Sequence, residues 1–464
     1  MPVLFAHDSA VQLYRAEASE GGRIQNGVFL RVLPWILLVP LLYLILEGAT
    51  SFLVPGKAGY GGLEQDAVFL QGESVPLAMR LVTAAVWMIC AFAVLTRFRA
   101  IIMLAWEMKG VSALSLLTLI SSIWSAEPAL TFLKSLLLVS GTLFAFYFCE
   151  KFTPNEQMEI LLILGAVVLV ASVIVSLTMP QIGLDIEGAW RGIFNHKNKL
   201  GRATMLLLPP ILSWRASGAM RIVRLPVFLL ALLVIFETQS RTAWIITIVY
   251  LGFHVMLRAS SRIPKRDLVT LSLFAGGSGA FMLYLFLSNF SAITHILGKD
   301  PTMSGRTEIW RAAISSGLKQ PMLGFGFGAF WRGVQGESLN VFLTTGFALW
   351  QGHNAYLDIW LDLGFVGLGL FAITFFAACR DAYLCLVPNR PREFDWYLGT
   401  IFITVCLGMT QGQLMYPNSL AVLLYFISCT GIRRLRLQLN REMDASLARN
   451  IYIPAQEDIA RGFA

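Results

Sequence analysis

The stretch RGIFNHKNKL (Arg191 to Leu200) puts an arginine, a histidine and two lysines into ten residues, with Arg202 just beyond it. Asn195 and Asn198 interleave with the cations. Charged donors of this kind hold phosphate oxygens, and neutral amides hold sugar hydroxyls. The alternative is a set of cations marking a helix end at a membrane surface. Arg191, His196, Lys197 and Asn198 are therefore candidate contacts for a phosphorylated sugar.

Three further places carry matching chemistry. Arg241 in TQSRTAW follows Glu237 by one helical turn, which suits either a structural ion pair or a glutamate that orients a guanidinium fork toward phosphate. SGRTEIWRAAISSG (Ser304 to Gly317) reads as an amphipathic helix with Ser304 as N-cap, Ile309, Trp310, Ala313 and Ile314 at helical spacing, and Gly317 as stop. Arg306 in its first turn is either a solvated surface arginine or, with the helix N-terminus, half of an oxyanion site. His353 in WQGHNAYLDIWLDLG is either an interfacial hydrogen-bonding group or a proton acceptor suited to neutral pH. Asn354 and Asp358 follow as supporting residues, and Asp358 and Asp362, one turn apart, suit a wet cavity better than a lipid-facing position. His7, His254 and His295 read as structural. GFGFG (Gly324 to Gly328) lacks the strand and helix of a dinucleotide loop, and its alternating glycines suit backbone packed closely against membrane or a lipid tail.

The elements that must position these groups are membrane helices. The 464 residues are 56% hydrophobic and 14% charged, with mean hydropathy +0.66, against roughly 25% charged in soluble domains. Apolar runs near the length needed to cross a bilayer predict about twelve spans. Their centres fall near Leu38, Val86, Leu116, Leu138, Val167, Leu206, Leu232, Ile248, Ala280, Leu368, Val405 and Leu424. With a cytoplasmic N-terminus, about two thirds of the 36 basic residues fall on inner segments, as the positive-inside rule requires. RGIFNHKNKL, TQSRTAW and a loop of about 291–353 then face outward, where orientation alone does not explain positive charge.

The expected organisation is a cytoplasmic N-terminal tail (1–30), one all-α polytopic membrane domain (31–432) and a basic cytoplasmic tail (433–464) whose bland reading is solvated chain touching anionic lipid. The first 31 residues lack an apolar signal-peptide core, so the first run is expected to be a retained span. The six cysteines lie in or beside apolar runs without ligand spacing and read as small core residues.

RGIFNHKNKLGR, QSRTAW, SGRTEIW, GFGFGAF and GHNAYLDIWLDLGFVG, in this order, resemble the O-antigen ligase and Wzy-type polymerase family, over roughly Trp124 to Gly367. The HKN form is most similar to its exopolysaccharide polymerases. The resemblance implies a GT-C-like glycosyltransferase of the bacterial inner membrane, with both termini cytoplasmic and its active site facing the periplasm. It would take saccharide from undecaprenyl diphosphate and pass it to a saccharide or lipid A-core hydroxyl, with no metal, cofactor or nucleotide sugar.

By match of motif, Arg241 and Arg306 would clamp the diphosphate and His353 would act as base or acceptor-orienting group. Arg191 and His196-Lys197-Asn198 would complete the donor site. Membrane lipids and other polysaccharide assembly and export proteins are the implied partners, and nucleic acid is not. A ligase acting on lipid A-core is the sibling reading. A transporter or flippase is the alternative from another class, and it would spread its charges through mid-membrane helices rather than gather them at one face.

Overall fold

A computed structural model describes residues 40–42, 77–214, 220–260, 306–386, 390–412, 414–417 and 419–461, with side chains of 77–80, 220–221 and 442–461 left aside. Helices dominate these residues. In chain order they are α1 (Leu77–Thr96), α2 (Phe98–Glu107), α3 (Lys109–Ile120), α4 (Pro128–Lys151), α5 (Pro154–Thr178) and the single turn α6 (Pro180–Gly183). There follow α7 (Lys197–Ser213), α8 (Met220–Glu237), α9 (Arg241–Ser260), α10 (Arg306–Gly317), α11 (Ser338–Thr345), α12 (Ala355–Leu384), α13 (Arg392–Gly408) and α14 (Leu420–Arg461).

Ten of the twelve expected span centres lie in these helices, while Leu38 and Ala280 lie outside the described residues. Four helices, α4, α5, α9 and α12, are long and apolar enough to cross a membrane. Residues 81–96 of α1 and α2 make a fifth if counted as one span bent by 89°. The expected count of twelve thus becomes four or five by length and apolarity among the described residues. All six cysteines carry free thiols, four of them buried.

Local chemistry sets the helix ends. α5 starts at Pro154 behind a capping box, in which the Thr153 N–H donates to Glu156 Oε2 at 2.8 Å and the Glu156 N–H to Thr153 Oγ1 at 3.4 Å. α7 is the buried pillar: Leu200 to Ile211 are all buried, enclosed by α5, α8, α9 and α13. A helix covered on every side presents only its ends for polar work. At Gly201 a Cβ would stand 3.1 Å from Ala243 Cβ, so the start of α7 nestles against the start of α9.

α12 is two helices joined through Gly364 at φ 64°, ψ −166°. The break frees backbone groups, and segment 321–326 takes them up. The Phe325 and Gly326 N–H groups donate to the Leu361 and Asp362 carbonyls (both 2.9 Å), and the Phe365 and Val366 N–H groups donate to Pro321 (2.9 Å) and Met322 (3.2 Å). This is what GFGFG does. Phe325 and Phe327 are buried in protein, so the expected packing of this loop against lipid gives way to packing against the broken helix. Ile309, Ala313, Phe330, Trp331 and Val341 form a second core that docks on Trp360 and Leu361 of α12, and α10 ends at Gly317 as expected. Its proposed cap, Ser304, lies outside the described residues.

A Cβ on residue 364 would lie 2.1 Å from the Met322 carbonyl oxygen in a left-handed backbone. Gly364→Ala is expected to destabilise the protein by at least 1–3 kcal/mol, the usual cost of such a conformation. Thermal unfolding of the detergent-solubilised protein checks it, and an unchanged midpoint would contradict the packing described.

Candidate functional site

The sequence-predicted residues gather at helix N-termini. His196 is the N-cap of α7, Arg241 opens α9, Arg306 opens α10 as described, and Asn354 caps α12 with His353 just before it. Such ends carry unpaired N–H groups and partial positive charge. The arrangement is an electropositive mouth built from backbone as well as side chains.

RGIFNHKNKL divides into separate tasks. Arg191 is buried, donating from Nε to the Ile182 carbonyl (2.7 Å) and from Nη2 to that of Gln181 (3.1 Å). Its backbone N–H also donates to Gly183. It therefore fastens the segment to α6. Lys197 pairs with Asp185 at 3.0 Å and with Glu187. Burial works to raise the Asp185 pKa, but the Lys197 bond and the N–H groups of Ala189 and Glu187 outweigh it and hold the carboxyl below its ordinary range. Lys197 shifts the other way, upward, because its two carboxylates outweigh burial. Its charge is already balanced.

His196 Nδ1 accepts the Asn198 N–H at 3.0 Å, which fixes Nδ1 as the unprotonated nitrogen and leaves any N–H on Nε2. Burial, followed by Lys199 and Lys197, lowers its pKa, so the cap stays neutral. Asn198 is exposed.

Beside this turn lies a cleft of about 620 Å³ lined by Lys197, Asn198, Glu237, Arg241, Phe236 and Trp244 among others. Phe236 and Trp244 stack at 5.7 Å and 11°, forming an apolar wall opposite the cations. The Glu237 carbonyl accepts the Trp190 N–H at 2.9 Å, tying the two loops together. Among the described residues Glu237 and Arg241 do not form the expected ion pair, and Arg241 is exposed on the cleft.

The other flank holds His353 and Arg306. Burial, then Arg306, then His196 push the His353 pKa down to about 4. Arg306 and His196 thus both stand within electrostatic reach of His353. Burial also lowers Arg306, whose Nη1 donates to the Thr410 carbonyl at 3.4 Å.

His353 has φ 52°, one of two left-handed non-glycine residues in the described chain, and the other, Gln239 at 49°, stands two residues before Arg241. Such strain persists only where surroundings over-determine it. Here they do. The Gly352 N–H donates to Asp358 Oδ1 (2.9 Å) and its carbonyl accepts Trp310 Nε1 (2.7 Å), while Trp331 Nε1 also donates to Asp358 Oδ1 (2.7 Å). On the other side Asn354 Oδ1 accepts the N–H groups of Tyr356 (3.1 Å) and Leu357 (3.2 Å). Asp358 thus holds the histidine loop rather than lining an open cavity.

Sequence reasoning missed the segment between α13 and α14. Besides the Thr410 carbonyl, Gln411 accepts a hydrogen bond from buried Arg202. The signal was present: TQGQ (Thr410 to Gln413) is a polar interruption between two apolar runs.

Apolar helices of spanning length mark an integral membrane protein. Residues 226–372 match the family model described as O-Antigen ligase, a range holding Glu237, Arg241, Arg306, His353, Asn354 and Asp358. The Exopolysaccharide production protein ExoQ of Rhizobium meliloti (strain 1021) is 25% identical over 284 residues, covering 57% of this chain and 63% of that relative's length. The chain is therefore similar to the O-antigen ligase and Wzy-type polymerase family, as its motifs indicated.

His353 takes a proton more readily when unfolded, where its pKa is near 6.5, than when folded, where it is about 4. Its contribution to stability is therefore full above about pH 6.5 and is lost as pH falls toward 4. His353→Gln is expected to flatten the dependence of the unfolding midpoint in that window relative to wild type. Parallel curves would contradict a half-buried, neutral His353.

Proposed function

We propose that this protein is a glycosyltransferase of the bacterial inner membrane, GT-C-like in fold, that acts at the periplasmic face and joins undecaprenyl-diphosphate-linked repeat units into exopolysaccharide. The observation that carries it is that Arg306 and His196, the N-cap of α7, both act electrostatically on His353, while the cleft beside the α7 start holds Arg241 and an aromatic pair. A lipid-linked diphosphate needs cations for its phosphates and an apolar wall for its first carbons. The similarity to an exopolysaccharide production protein supports the same reading.

In the proposed reaction the acceptor hydroxyl attacks C1 of the donor sugar, the C1–O bond to diphosphate breaks, and the hydroxyl proton passes to His353. Displacement in one step inverts the anomeric centre. Arg241 and Arg306 stabilise the charge that grows on the departing diphosphate, a role for fixed cations in a site that excludes water. Arg191 fixes the loop, Lys197 is held by its two carboxylates, and Asn198 and the α7 N-terminus face the donor.

A base with a pKa near 4 is poorly matched to neutral pH. The burial and positive charge that lower it also explain how it is armed, because a bound diphosphate offsets Arg306 and favours the protonated imidazole.

Two expectations follow from this scheme. Arg241→Ala and Arg306→Ala each cost roughly 10²- to 10³-fold in kcat, and His353→Ala abolishes turnover while the protein remains folded, as measured on purified protein with lipid-linked repeat units. Because kcat/KM reports the free enzyme and kcat the donor complex, the acid limb of kcat/KM falls near pH 4 and that of kcat at higher pH. Coincident limbs would remove the arming step.

The ligase reading is favoured by the description of the matching family model. Lipid-linked repeat units supplied alone decide between them: chain growth supports the polymerase, and dependence on added lipid A-core supports the ligase.

A further inference from the structure

The far end of α12 from His353 carries a second concentration of positive charge. Asp381, one turn from the helix end and buried, pairs with three arginines at once: Arg380 on its own helix at 3.1 Å, and Arg433 and Arg436 on α14 at 3.3 and 2.6 Å. Arg434, between the last two, is held instead by Glu150 and the Cys149 carbonyl at the end of α4. One carboxylate cannot neutralise three guanidiniums, so the Asp381 set keeps a surplus of two positive charges.

Its hydrogen bonding is also incomplete. The Nε–H groups of Arg433 and Arg436 are buried and have no acceptor, a state that ordinarily costs more than a missing surface bond because water is excluded. Two buried donors and a doubly positive surplus call for an anion. The surroundings say which kind. Arg380 is 61% exposed, and the face of α12 that carries it bears Ile373, Phe376, Tyr383 and Leu384, all exposed and spaced at helical intervals along one stripe. An anion bound here has an apolar track beside it running up a helix of membrane-spanning length.

We propose that the α12–α14 junction is a binding site for an anionic phospholipid, whose phosphate engages Arg380, Arg433 and Arg436 and whose acyl chains lie along the Ile373–Phe376 stripe. The site stands independently of the glycosyltransferase reading. Arg380 is 25 residues into α12, roughly 35–40 Å along the helix from the histidine loop.

The test uses full-length protein in neutral detergent, titrated with phosphatidylglycerol or phosphatidylcholine and read by native mass spectrometry. Phosphatidylglycerol is expected to bind preferentially. Arg380→Gln is expected to weaken it by about fivefold, the effect of one cation near a lipid surface, without changing phosphatidylcholine. Arg433 and Arg436 remain on Asp381 in that variant, so the helices stay clasped, and circular dichroism verifies the fold. Arg311→Gln, which removes an exposed arginine from α10, should leave the titration unchanged. Equal binding of the two lipids, or a wild-type titration in Arg380→Gln, overturns the proposal. Displacement of phosphatidylglycerol by equimolar inorganic phosphate overturns the lipid and leaves a soluble anion as the occupant.

Discussion

The first turn of a helix has N–H groups that its own backbone cannot satisfy. α7 is buried from Leu200 to Ile211, and its first turn, Lys197 to Lys199, opens on the cleft. His196 covers one of those groups with Nδ1, which makes the histidine a neutral structural cap. The rest of the first turn keeps its positive end at the cleft, where Asp185 and Glu187 are held by Lys197. Arg241 lies on the cleft at this end, and His353 feels His196 electrostatically.

The arrangement separates holding from acting. Arg191, Lys197, Asn354 and Asp358 have partners in the protein, and these bonds fix backbone. Arg241 faces the cleft, and Arg306 has one weak bond to a carbonyl. Trp310 bonds the Gly352 carbonyl and Asp358 accepts its N–H, so the helix that opens with Arg306 is tied to the loop that carries His353.

The sequence shows the helices and the four charged places because apolar runs and charge in apolar surroundings are one-dimensional signals. Partnership is not one-dimensional. Nothing in RGIFNHKNKL says that Arg191 turns inward to carbonyls or that Lys197 meets Asp185 and Glu187, since both facts depend on how the preceding hairpin folds back. The break at Gly364 was hidden for the same reason: LDLGFVG reads as uninterrupted span until segment 321–326 is seen to fill it. Gln411 was readable as a polar interruption, but its bond to Arg202 spans 209 residues. The Glu237 and Arg241 spacing suggested a pair that the turn at Gln239 does not form.

The filled break in α12 also bears on how such proteins diversify. Because the Phe325 and Gly326 N–H groups bond the Leu361 and Asp362 carbonyls, and the Phe365 and Val366 N–H groups bond those of Pro321 and Met322, the α10–α11 lobe and α12 share a single seam. Exchanging the lobe between related chains would leave that seam half-stitched unless residues 355–366 travelled with it. A graft of this lobe therefore needs the piece of helix that it repairs.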